Sequence, residues 1–113
     1  VSFSMASENI DVPVENILYL ESNHRTMIMH LINHPRKDFH FYASITLMED
    51  ALSPIGFLRV HKSYLVNMEY IEILQYGKVR LKNSVELPVS KNNYTEIKQQ
   101  YISWRGGHRW NIG

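Results

Sequence analysis

Apolar residues in this chain come in short segments, and nearly every segment ends at a turn residue. That pattern constrains the fold most, because strands alternate over a few residues while helices need a longer 3.6-residue period. Val12, Val14, Ile17 and Leu18-Tyr19-Leu20 read as an early strand pair around Pro13 and a Glu15-Asn16 turn. Residues 26–32 alternate and run into a turn cluster at 33–37, and Phe39-His40-Phe41-Tyr42 returns as the partner strand of a hairpin. The segment 57–66 is rich in β-branched and aromatic residues. Ile71-Glu72-Ile73-Leu74 and Val79-Arg80-Leu81 flank a Gln75-Tyr76-Gly77 turn as a second hairpin. Val85-Glu86-Leu87-Pro88-Val89 is the last strand; Pro88 has no amide to donate, so the strand ends there or lies at an edge.

Two stretches carry the helical period instead. Ser44 is an N-cap ahead of Ile45, Met48 and Leu52, with Pro54 as the stop. Ser90 reads as a second N-cap, before an apolar stripe of Tyr94, Ile97, Tyr101 and Trp104. Gly106-Gly107 is expected to break that helix, leaving residues 105–113 as a tail. The fold class is therefore mainly β (α+β), one domain over residues 1–104, and 113 residues suit a single core of this kind.

Composition excludes several function classes. With no cysteine there is no disulfide framework, thiolate zinc site or cysteine nucleophile. No apolar run approaches a membrane span and no secretory leader is visible, so the expected compartment is the cytoplasm. The start at Val1 reads as a fragment of something longer. No Gly-rich phosphate loop appears, and the one adjacent acidic pair, Glu49-Asp50, reads as part of a solvated helix face. Enzymatic activity has no constellation to support it, and no cofactor is expected. His30, His34 and His40 flank one hairpin, but no carboxylate or thiolate recurs beside them at ligand spacing, so no metal site is expected.

Charge is distributed unevenly. Residues 1–21 hold Glu8, Asp11, Glu15 and Glu21 and no Lys or Arg, a net of −4. The remainder holds all 12 basic residues against 7 acidic ones, a net of +5, and all six histidines besides. A basic body of this kind points toward a polyanion.

Three polar loops interrupt the apolar segments. In Phe57-Leu58-Arg59-Val60-His61-Lys62-Ser63-Tyr64-Leu65-Val66-Asn67 a basic tetrad from His61 to Tyr64 breaks a strand run and must emerge at a bend. In Leu87-Pro88-Val89-Ser90-Lys91-Asn92-Asn93 a strand hands over to a helix. Lys91 in a first turn would oppose the macrodipole unless an anion such as phosphate neutralised it. Glu21-Ser22-Asn23-His24-Arg25-Thr26 is the third loop. Alternation could instead turn Arg59 and His61 inward, to brace their loop through backbone hydrogen bonds.

At these residues the chain resembles the LytTR-type DNA-binding domain of bacterial transcriptional regulators. The motifs are Ile17-Leu18-Tyr19-Leu20-Glu21-Ser22, Phe41-Tyr42-Ala43-Ser44, the block 57–67 and Leu87-Pro88-Val89-Ser90-Lys91, in family order across about residues 10–104. The resemblance implies small antiparallel sheets packed as an elongated sandwich with one or two short helices. It implies DNA reading from loops without a recognition helix, one base-contacting residue per loop: His24 with Arg25, Lys62, and Lys91. It further implies direct-repeat sites in double-stranded DNA, a second copy of the domain on them, and a receiver domain upstream. Ser63, Ser90 and Asn92 stand near these positions and are expected at phosphates. Two rivals remain at this point. A single-stranded nucleic-acid binder would use the 12% aromatic content as stacking platforms, and a protein-interaction module would use the acidic amino-terminal strand.

Overall fold

The computed structural model describes the backbone of residues 2–5 and 8–110 and the side chains of 11–107. Strands β1 (Ser2–Met5) and β2 (Glu8–Asp11) form a two-stranded ladder. β3 (Ile17–Asn23), β4 (Thr26–Leu31), β5 (Asp38–Tyr42), β6 (Phe57–His61) and β7 (Tyr64–Asn67) form a five-stranded antiparallel sheet in the order β5-β4-β3-β7-β6. β8 (Ile71–Gln75), β9 (Lys78–Leu81) and β10 (Glu86–Pro88) form a three-stranded sheet with β10 at its edge, where Pro88 costs no ladder bond. Helices α1 (Ile45–Leu52) and α2 (Tyr94–Trp110) complete the body.

Side-chain alternation explains the layers. β4 and β5 bury every second residue, so one of their faces meets the core and the other meets solvent. β3, β7 and β6 bury consecutive residues, Ile17 to Leu20, Leu65 to Asn67 and Phe57-Leu58, because both of their faces are covered there. Ile17, Leu20, Leu65 and Phe57 join a cluster with Ile45, Met48 and Leu52 of α1, whereas Leu18, Val66, Leu58 and Val60 join a second cluster. That second cluster contains Val79, Leu81 and Leu87 of the smaller sheet and Ile97 and Tyr101 of α2. An eight-residue helix such as α1 does not persist alone. Burying Ile45, Met48 and Leu52 at ~1.5–3 kcal/mol each holds it in place, and Ser44 Oγ accepts the Leu47 amide at 3.1 Å as the expected N-cap. The buried Asn67 ties the end of β7 to the chain entering β3: its Nδ2 donates to the carbonyls of Ile17 (2.9 Å) and Val14 (3.3 Å), and its Oδ1 accepts from the Glu69 amide at 3.1 Å.

Three expectations need correction. Residues 12–20 do not pair as two strands; a short 3-10 turn at Val14–Asn16 leads into β3, and β2 pairs with β1. The second helix starts at Tyr94, not after Ser90. The Ser90 amide is taken by the Val60 carbonyl at 2.7 Å, so residue 90 still belongs to the sheet margin, and Ile97 N to Asn93 O (3.0 Å) is an early helical bond. Lys91 therefore lies outside the helix, and the macrodipole does not act on it from a first turn. Finally, α2 runs through Gly106-Gly107 to Trp110, so a tail does not begin at 105. Each glycine costs ~1 kcal/mol relative to alanine in a helix, which weakens it without forcing a stop.

Candidate nucleic-acid interface

The loops that hold the sequence candidates come together through strand topology. β3 ends at the turn His24-Arg25 and β7 begins after the turn Lys62-Ser63. The two strands are antiparallel neighbours, with Glu21 opposite Tyr64, so both turns emerge at the same end of the sheet. The Ser22 amide donates to the Ser63 carbonyl at 2.8 Å and extends that pairing to the turn itself. On the outer side of β6, the Ser90–Val60 bond ties the third loop to the same end. At a strand spacing of ~4.8 Å the first two turns lie ~10 Å apart, and the row of three spans ~15–20 Å.

In the first turn His24 takes a left-handed φ of 58° between the paired residues Asn23 and Thr26. Histidine enters that region more readily than most residues, and positive φ suits the twist of a tight hairpin. His24 and Arg25 are both exposed.

The second turn is braced from beneath. Arg59 Nε donates to the His61 carbonyl (3.3 Å), Nη2 to the Lys62 carbonyl (2.8 Å) and Nη1 to Glu49 Oε1 of α1 (3.1 Å). His61 Nδ1 accepts the Ser63 amide at 3.1 Å. Burial lowers the His61 pKa, and the cations Lys62 and Arg59 push it the same way. The ring thus stays neutral at pH 7, as an accepting Nδ1 requires. Arg59 and His61 brace the loop, as the inward alternative held, while Lys62 is exposed and Ser63 half-buried. Behind the turn, His61 meets Tyr64 at 5.5 Å between ring centroids, and Tyr64 meets Tyr19 at 6.1 Å. Tyr19 stacks on His30 at 4.2 Å, and His30 donates to Glu21 at 3.0 Å. Burial, then Glu21 and Tyr64, push the Tyr19 hydroxyl up to about 12.

In the third loop Lys91 and Asn92 are exposed and Ser90 is half-buried. Lys91 Nζ lies 5.7 Å from the Tyr76 ring centroid, and Tyr76 meets Tyr94 edge-on at 5.5 Å. Its stem lies along Gly77, whose φ of +84° keeps that turn free of a side chain; a Cβ there would stand 3.1 Å from Lys91 Cε.

All of the sequence candidates thus fall on three linked loops, with the Ser90 amide already committed to Val60. Sequence reasoning missed Glu49, taken for a solvated residue, and Tyr76, a turn residue with 64% of its surface exposed. An exposed aromatic in a turn beside glycine was the available signal for Tyr76; for Glu49 there was none, since its partner lies on another element. Among the described residues no three His, Asp or Glu side chains gather as metal ligands, and no helix is long and apolar enough to cross a membrane.

Comparisons agree with this architecture. No curated protein sequence matches the chain significantly. The solved LytTr DNA-binding domain of a proposed methyl-accepting/DNA response regulator from Bacillus cereus superposes with a TM-score of 0.73 at 20% identity. That match covers 88% of this chain and 94% of the other. The profile of the LytTr DNA-binding domain matches residues 7–102, the span that contains all three loops and both cores; the chain belongs to that family.

Proposed function

We propose that this DNA-binding domain reads double-stranded DNA through the major groove, with His24, Lys62 and Lys91 at base edges and Arg25, Ser63, Ser90 and Asn92 at the backbone. The observation that carries this reading is the pair of backbone hydrogen bonds, Ser22 to Ser63 and Ser90 to Val60, that holds three donor-bearing loops at one end of one sheet. A row of ~15–20 Å faces about five base pairs at ~3.4 Å each. Lysine donates to guanine O6 and N7, and a histidine N–H suits the same acceptors. Rigid hairpins leave little of the loop to be ordered on binding. Ser90 serves the backbone through its hydroxyl, because its amide is engaged. A second copy on a direct repeat and a receiver domain on the amino-terminal side complete the reading as the output module of a transcriptional regulator.

Selection from a randomised duplex library, read at two salt concentrations, tests this. We expect a short motif, repeated in direct orientation, with affinity falling linearly in log salt. Recovery of no motif, or a preference for single strands, overturns it.

A further inference from the structure

We propose that Glu49 of α1 is a positioning residue for base recognition, holding Arg59 in the pose that fixes the Lys62 turn. The inference rests on Lys62 being a base reader, as set out above. A guanidinium carries a planar fork of donors. Here two edges of the fork are spent on consecutive carbonyls of the turn, His61 and Lys62, and a third nitrogen on Glu49. Removing the carboxylate leaves a cation held by two neutral acceptors, with only 26% of the side chain exposed, next to a surface that takes up phosphates. A neighbouring phosphate then becomes a better partner than the carbonyls, and Arg59 can leave the turn. The carboxylate is anchored independently of that surface, because Ile45, Met48 and Leu52 bury the inner side of its helix. Glu49, Arg59 and Lys62 line one cleft together with Ser90 and Asn93, so the pair lies directly behind two of the three loops.

The sign of the effect separates positioning from electrostatics. Deleting a carboxylate beside a polyanion site ordinarily tightens binding at every sequence. Loss of positioning weakens binding only to the cognate duplex. We expect Glu49→Ala to lose roughly 3- to 10-fold in affinity for the selected duplex, with unchanged or tighter binding to a scrambled one. Glu49→Gln, which keeps an acceptor and helical propensity but not the charge, should recover only part of that loss. In a Lys62→Ala background the Glu49→Ala loss should vanish, since the residue being positioned is gone. Thermal unfolding of each variant accompanies the titrations. Cognate binding by Glu49→Ala as tight as that of the parent overturns the proposal, as does a loss that persists undiminished beside Lys62→Ala. Should Lys62→Ala alone leave discrimination intact, base reading by Lys62 falls, and that failure is told apart by the single variant.

Discussion

Replacing Tyr76 tests whether the third loop is prepared before DNA arrives. The Tyr76 ring sits under Lys91 Nζ at 5.7 Å and edge-on to Tyr94 at 5.5 Å, yet 64% of Tyr76 faces solvent. An exposed cation–π contact contributes ~0.5–1 kcal/mol. The aromatic pair adds ~0.5–1.5 kcal/mol. Tyr76→Ala loses both, and we expect about 1–2 kcal/mol of stability, read as a fall of roughly 4–15 °C in melting temperature for a domain of this size. Tyr76→Phe keeps the ring and should melt like the parent. For DNA the balance has two sides. If Lys91 must leave the ring to reach a base, removing the ring helps binding. If the ring and Gly77 hold the stem in its binding pose, removing it restores rotamer freedom worth up to ~2 kcal/mol for a lysine. The stem lies along Gly77 while Nζ stands over Tyr76, so both ends of the side chain are held and the second effect dominates. Titration by fluorescence anisotropy should show Tyr76→Ala binding cognate duplex roughly 2- to 5-fold more weakly, ~0.5–1 kcal/mol, with Tyr76→Phe unchanged. Equal or tighter binding by the alanine variant, or an equal loss in phenylalanine, refutes the reasoning.

Other expectations are more direct. Lys62→Ala and Lys91→Ala should each weaken cognate binding by ~1–3 kcal/mol while barely moving the melting temperature, checked by the same titration against cognate and scrambled duplexes. Asn67→Ala strands the buried carbonyl of Ile17 and frees the Glu69 amide, so urea unfolding should show a loss of about 2–4 kcal/mol. The His61 pKa is lowered in the folded protein, so the unfolded chain takes up the proton first as pH falls. The stability from neutral His61 is fully present above its ordinary value near 6.5 and is lost as pH drops toward its folded pKa. Protonation also ends the acceptance from Ser63 N, and His61→Gln should flatten that part of the acid decline in a pH series of unfolding curves.

Much of this was legible because it is local. The 26–42 hairpin follows from alternation and a Pro-containing turn, and the Ser44 cap from a serine ahead of an apolar period. The tetrad from His61 to Tyr64 emerged at a bend because an apolar strand cannot bury Lys62. The failures have two causes: a tertiary contact that no single segment shows, and a local preference too weak to decide the outcome. Ser90 has a cap's identity, but it sits at the sheet margin with its amide on the Val60 carbonyl, and the helix starts only at Tyr94. Gly106-Gly107 lowers helical propensity without opposing it by more than a couple of kcal/mol. Glu49 has the look of a solvated residue until β6 brings Arg59 beside it, ten positions away along the chain. The linkage of the loops is likewise absent from any single segment, since Ser22 and Ser63 meet only because β3 pairs with β7.

The most direct measurement is an amide chemical-shift titration of the domain with its selected duplex. Shifts concentrated in residues 22–25, 61–64 and 90–93, with the exposed face of β4 and β5 silent, are the expected result. Shifts centred on that face or on the outer side of α1, with any one of the three loops unperturbed, would contradict a single reading edge built from all three.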